Sequence, residues 1–280
     1  METLTFPLLQ AEKALETITK NLAPCTVYVF GYRAESSSCG SVLLQAGGNN
    51  LTHHFDLLVF SNKAYSNGAA DMAHLIAQRS KGEISATVLL HKVTDLKTKS
   101  RCQQWFFHNA LRDGHRLCLD TAAVPYLPQN GVPMRDVERT RDHWLKCEAV
   151  SGLYLEAATN SERLDVERVK LSLLHQAVEY AALGLIRVFM GYTPNTYGLS
   201  YLLGLCRHFT GLPQCFPQVF EADIARFKLL CAPPAMLRHR NGLETAEADY
   251  VPILAACTSF VEQSRELAHT ELRRLEKQNP

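Results

Sequence analysis

Two side chains capable of chemistry share one short run, His54-Phe55-Asp56-Leu57. The segment His54 to Phe60 is aliphatic and aromatic, which predicts a strand. Residues i and i+2 of a strand face the same way, so the His54 imidazole and the Asp56 carboxylate converge. Magnesium takes oxygen ligands, which makes Asp56 the candidate metal ligand and His54 a poor one. A second pair is Arg168 and His175, with six residues between them in a run of helical spacing. Seven steps return them to nearly the same helix face, about two turns apart. Histidine moves protons near neutral pH and guanidinium stabilises phosphate charge, a pairing suited to acid–base chemistry at a phosphate. Ser172 and Glu179 share that stripe, and the expectation adopted for it is a solvated polar face. Arg238, His239 and Arg240 form the best local basic cluster. It suits a phosphate, an RNA or a partner's acidic edge, and equally a helix C-terminus, where cations are stabilised. His53, His54, His91, His108 and His115 invite a zinc hypothesis, but structural zinc sites show tighter spacing and usually cysteine. They are expected to be surface or strand-edge residues.

The elements that must position these groups fall into two kinds. Up to about residue 122, strands alternate with helices. Helices are expected at 8–20, 69–79 and 100–112, and strands at 25–30, 41–45, 54–60, 84–90 and 115–119. Gly31 then opens a polar loop through Ser36, Ser37 and Ser38, and Gly47 to Asn50 reads as a tight turn. Pro125, Pro128 and Pro133 mark a linker, and no strand signal follows it. Helices are expected at 135–158, 162–190, 198–208, 221–231 and 246–276. The longest apolar stripe runs from Val166 to Phe189 behind the capping signal Asn160-Ser161-Glu162, and Gly191 stops it. The expected fold class is therefore α+β in two domains. Residues 1–124 form an α/β domain with a small mixed sheet, 125–134 a linker, and 135–280 an all-α bundle.

The bulk numbers narrow the function classes. The chain has 280 residues, 46% hydrophobic and 20% charged, with a formal net charge of +1. A general nucleic-acid binder carries a basic excess, so only local contacts by a few arginines remain open. Nine cysteines include no Cys-x-x-Cys pair and read as reduced, mostly buried thiols. No run reaches the roughly 18 apolar residues of a membrane span, and Met1 to Lys20 is no signal peptide. A cytoplasmic protein without a membrane partner is the expectation.

The helical half resembles a known family. Leu174-His175-Gln176-Ala177-Val178-Glu179 and Gly191-Tyr192-Thr193-Pro194-Asn195-Thr196-Tyr197-Gly198-Leu199 resemble the core of HEPN domains. Those five-helix domains typically show a Gly-Tyr-x-Pro-x-Thr-His-x-Leu turn, and Tyr197 stands here at the histidine. Ala235-Met236-Leu237-Arg238-His239 resembles the Ala-Arg-Tyr segment before the last HEPN helix, with His in place of Tyr. The first half resembles the minimal nucleotidyltransferase fold, often beside or fused to HEPN domains in bacteria. That fold carries Gly-Ser after its first strand and Asp-x-Asp-Leu on the next. The counterparts here are Gly31-Tyr32, the candidate nucleotide-binding pair, and His54-Phe55-Asp56-Leu57.

The resemblance implies a degenerate transferase. Nucleotidyl transfer needs two divalent cations, held by paired carboxylates and a third on the following strand. One carboxylate of the pair is His54, residues 84–90 hold none, and Tyr32 replaces the phosphate-holding serine. The HEPN RNase motif, Arg-x(4–6)-His, is absent near the last helices, where Arg265 and His269 are too close together. The expectation is a non-catalytic binding or regulatory protein, associated with nucleotide or RNA, needing no cofactor and forming a homodimer through its helices. The alternatives are a magnesium-dependent nucleotidyltransferase with an altered site at His54 and Asp56, and an RNase using Arg168 and His175.

Overall fold

The computed structural model describes residues 5–38, 49–63, 68–98, 101–125, 133–160, 167–233, 236 and 247–278. The chain is a mixed α+β protein and divides into two compact units, Met1–Met134 and Arg135–Pro280.

The first unit is built on a four-stranded mixed sheet of β1 (Cys25–Ser38), β2 (Asn49–Ser61), β3 (Ile84–His91) and β4 (His115–Cys118). The strand order is β3-β2-β1-β4. β2 is antiparallel to β1 and parallel to β3, and β4 is antiparallel to β1. The parallel pair needs a crossover, which α2 (Gly68–Arg79) provides. Alternation sorts the side chains onto two faces. Val27, Val29, Phe55, Leu57, Val59, Ile84 and Val88 share one core with α2 and α1 (Leu8–Leu22). α1 buries Ala11, Ala14, Ile18 and Leu22, a stripe of helical spacing, whereas Leu8 and Leu9 are exposed. On the opposite face, α4 (Arg101–Asp113) lays Phe106 against Phe30 and Phe107 against Phe60, with centroids 5.7 and 6.2 Å apart. Before it comes one turn, α3 (Asp95–Thr98).

The structure corrects the expected loop after Gly31. β1 runs on through Gly31 to Ser38, because Arg33 pairs with His54 and each following residue finds a partner as far as Ser38 and Asn49. Backbone pairing with β2 holds this segment, although its residues carry no apolar alternation. Asn49 and Asn50 begin β2 rather than turning the chain. A register shift lies between Val29 and Gly31, so Phe30 is the extra residue of a β-bulge. The expected strand at 41–45 lies outside the described residues.

The second unit contains α5 (Val137–Asn160), α6 (Glu167–Met190), α7 (Leu199–Cys206), α8 (Glu221–Leu230) and α9 (Glu247–Gln278). No strand occurs among its described residues. α6 is its central element and buries Leu171, Leu174, Ala177, Val178, Ala181, Ala182, Leu185 and Ile186, while Val169 is exposed. The helix ends at Met190, and Gly191 takes φ 64°, a left-handed conformation that favours glycine. The Arg135 guanidinium donates to the carbonyls of Arg187 and Val188, satisfying acceptors that the last turn leaves free. Burial pushes the Arg135 pKa down to about 10, against the opposing pull of Glu271. Gly184 lets α5 approach α6 closely, since a Cβ there would lie 2.6 Å from the Trp144 ring. α9 turns Ile253, Cys257, Phe260, Val261, Ala268, Leu272 and Leu275 inward, and Val251 is exposed. By length and composition Val169–Met190 could cross a membrane, although it holds no unbroken apolar run of that length, and most of it is buried inside the protein.

Candidate functional site

The chemically promising side chains of the first unit gather on the α4 side of the sheet. His54 and Asp56 alternate with Phe55 and Leu57 and so project together from β2. In the register, Arg33 lies opposite His54 on β1, while Ser85 and Thr87 lie opposite His54 and Asp56 on β3. The site thus draws on three adjacent strands.

Asp56 is fully buried. Its Oδ2 lies 3.4 Å from an Arg33 guanidinium nitrogen and its Oδ1 lies 3.3 Å from His54 Nε2. A buried carboxylate needs such partners, because an uncompensated charge costs several kcal/mol, on the order of 3–5, when one is removed. His54 Nε2 also meets the Thr87 hydroxyl at 2.9 Å, and His54 Nδ1 meets the Ser85 hydroxyl at 2.7 Å. The carboxylate can only accept, so in the neutral imidazole Nε2 carries the proton and Nδ1 presents its lone pair. Ser85 therefore donates to Nδ1. The chain of contacts reads Arg33, Asp56, His54, Ser85.

The donor set does not fit a two-magnesium centre. Among the described side chains Asp56 is its one carboxylate, and that carboxylate already faces a guanidinium. The register positions on β3 opposite His54 and Asp56 hold Ser85 and Thr87 rather than acids. No group of three or more His, Cys, Asp or Glu residues suited to a metal occurs among the described residues.

Gly31 and Tyr32 lie inside β1, immediately after the bulge, and not at a strand end. Gly31 is opposite Asp56, and Tyr32 is opposite Phe55 on the core-facing side. The Tyr32 ring packs on Phe55, with centroids 5.2 Å apart, and its hydroxyl meets His53 Nδ1 at 2.7 Å. Burial raises the Tyr32 pKa. A tyrosine so placed ties β1 to β2 through Phe55 and His53.

The other histidines divide. His115 packs edge-on against Phe6, with centroids 5.1 Å apart. His91 is buried at the end of β3, in edge contact with Phe107 and 3.7 Å from Asp95, so it is no surface residue.

In the second unit the expected polar stripe is not solvated at His175, which is only 3% exposed. Its Nδ1 donates to the carbonyl of Leu230 at 2.8 Å, and its Nε2 lies 3.5 Å from Glu179. That bond ties α6 to the end of α8 and takes up one ring nitrogen. Residue 168 is on α6, and its side chain lies outside the described residues, as do Arg238, His239 and Arg240. Tyr197 is exposed, whereas Tyr192 is buried.

Four features escape a search for acids in the sequence. The alternation of Ser85 and Thr87 with Ala86 and Val88 is a signal that could have revealed the hydroxyl ladder. Arg33 gives no such signal, because its place depends on the bulge. The buried arginines Arg135 and Arg187 are tertiary features, with Arg187 donating to the Gly191 carbonyl and the Thr193 hydroxyl. A cavity of about 270 Å³ beside α8 is lined by Phe216, Phe227, Leu230 and Ile253, with the ion pair Asp223–Arg226 at 3.4 Å.

Compared with known proteins, the chain matches no family model and no curated protein.

Proposed function

We propose that the chain is a nucleotide- or RNA-associated binding and regulatory protein of the nucleotidyltransferase–HEPN type, and that its first unit does not perform metal-dependent nucleotidyl transfer. One observation carries this reading: the buried Asp56 carboxylate is engaged by Arg33 and His54, and hydroxyls stand on β3 where a third acid is required. Two-metal transfer needs several acidic oxygens converging on one point. Here a guanidinium supplies the positive charge that a cation would bring. The parallel β2–β3 pair and the preceding α1 support a nucleotidyltransferase-like core, and the helices from α5 to α9 support a HEPN-like bundle. The RNase alternative is disfavoured by His175, whose Nδ1 is committed to the Leu230 carbonyl in a buried position. Homodimerisation through the helical unit and a cytoplasmic setting complete the proposal.

The test incubates the full chain with each α-labelled nucleoside triphosphate, with and without Mg²⁺ or Mn²⁺, and follows both binding and label transfer. The proposal expects nucleotide or short-RNA binding that is indifferent to the cation, and no transfer. Metal-dependent transfer that Asp56→Asn abolishes would overturn it, as would the absence of binding to any nucleotide or RNA. Sedimentation at micromolar concentration tests the dimer.

A further inference from the structure

We propose that Ser85 is an activated hydroxyl, a metal-independent acyl-acceptor site that takes an acyl group from an activated ester. The inference does not depend on nucleotide binding at this site. It rests on an ordered set of three side chains on neighbouring strands. Ser85 Oγ lies 2.7 Å from His54 Nδ1, and the far nitrogen of the same ring lies 3.3 Å from the buried Asp56 carboxylate. Nucleophile within hydrogen-bond reach of a base, and base oriented by a third group, is the arrangement that turns a weak hydroxyl into a nucleophile. The tautomer is the productive one: Asp56 and Thr87 hold the Nε2 proton, leaving Nδ1 to take the proton of Ser85. A structural hydroxyl ladder would be served equally well by the opposite tautomer, which the Asp56 carboxylate disfavours.

Accessibility agrees with this role. Ser85 is half-buried at the second position of β3, an edge strand of the sheet, whereas Asp56 behind it is sealed. The electrophile follows from the donor set. Attack on a polyphosphate calls for cations, which the site does not fit, whereas attack on an uncharged ester carbonyl does not. In the step, Oγ of Ser85 bonds to the ester carbonyl carbon as its proton passes to His54 Nδ1. The bond from that carbon to the leaving oxygen breaks, and the imidazolium returns the proton to the departing alcohol. The product is acyl-Ser85 with His54 neutral again.

The test uses the full chain and an alkyl fluorophosphonate, which traps activated serines: the Oγ–P bond forms, the P–F bond breaks, and fluoride and a proton leave. Adducts are located by peptide mass spectrometry. The expected result is an adduct on Ser85, lost in Ser85→Ala, with labelling slowed about a hundredfold or more in His54→Gln, the scale of general-base assistance. p-Nitrophenyl acetate should likewise leave an acetyl group on Ser85 and release nitrophenol in proportion. If His54→Gln does not fold, the wild-type chain serves instead: Ser85 should label about a hundredfold faster when native than in urea. No adduct on Ser85, a His54→Gln rate equal to wild type, or equal native and unfolded rates would each overturn the assignment. Loss of nucleotide binding would leave these readouts unchanged, so the two proposals fail separately.

Discussion

Gly184→Ala and Gly152→Ala make the same chemical change on two packed helices, and the structure assigns them opposite signs. A Cβ on Gly184 would lie 2.6 and 2.9 Å from two Trp144 ring carbons and 3.0 Å from Cys147 Cβ. Carbon atoms pack at about 3.5–4.0 Å, so the nearest contact falls short by roughly 1 Å. Trp144 is 1% exposed and cannot swing into solvent. Overpacking of this kind costs about 1–3 kcal/mol. The gain in helix propensity from Gly to Ala returns about 1 kcal/mol. The larger estimate of strain applies because the neighbour is a rigid ring held in the core, leaving a net loss of about 2 kcal/mol. At Gly152 the nearest atom to a new Cβ is Arg265 Nη2, 3.9 Å away at the end of a flexible side chain. There only the propensity gain remains, a stabilisation of up to about 1 kcal/mol. Urea unfolding of both variants, followed by the circular dichroism of the helices, measures the difference. If Gly184→Ala were as stable as Gly152→Ala, the claimed contact between α5 and α6 would be refuted. Trp144→Leu should relieve the Gly184→Ala penalty, giving a non-additive cycle.

Three more expectations follow from buried polar and ionisable groups. Arg33→Ala removes the guanidinium facing a fully buried carboxylate and should destabilise the chain by about 3 kcal/mol, with Arg33→Lys recovering part; a neutral Arg33→Ala in urea unfolding would remove the basis of the metal argument. Arg135→Ala strips charged donors from the Arg187 and Val188 carbonyls and should cost about 2 kcal/mol, with faster amide exchange confined to the last turn of α6. Burial raises the thiol pKa values of Cys206 and Cys257 well above 9.0. The folded state therefore keeps protons that the unfolded state releases. Stability is full below the unfolded thiol pKa and should fall above about pH 9, by up to about 1.4 kcal/mol per pH unit for each thiol. Cys206→Ala should shallow that alkaline slope measurably, and an unchanged slope would show that the thiol is accessible.

The helical unit was the more legible from sequence. Its helices repeat apolar residues at the period of the backbone, and Gly191 marks the end of α6 by the one conformation it favours. The stretch of β2 from His54 to Phe60 was legible by its aliphatic and aromatic residues. What stayed hidden depends on partners distant in the chain. Arg33 to Ser38 look like loop because nothing in them alternates; only pairing with residues 49–54 makes them strand. The polar stripe through His175 looked like a solvated face, because the Leu230 carbonyl that covers it is 55 positions away. The site was half visible. His54 and Asp56 could be placed together by strand geometry, and Ser85 and Thr87 carried a readable alternation that a search restricted to carboxylates passes over.

The extra residue at Phe30 governs which groups ever meet. Before it, Val27 and Val29 point toward α1; after it, Tyr32 points that way and Arg33 is delivered to Asp56. Were Phe30 instead taken into the regular ladder opposite Asp56, the two sides would be exchanged for everything beyond it. The phenol would then hang over the acid, and the guanidinium would be driven into hydrocarbon. The electrostatic character of this end of the sheet is thus decided by a count along the backbone as much as by which amino acids are present.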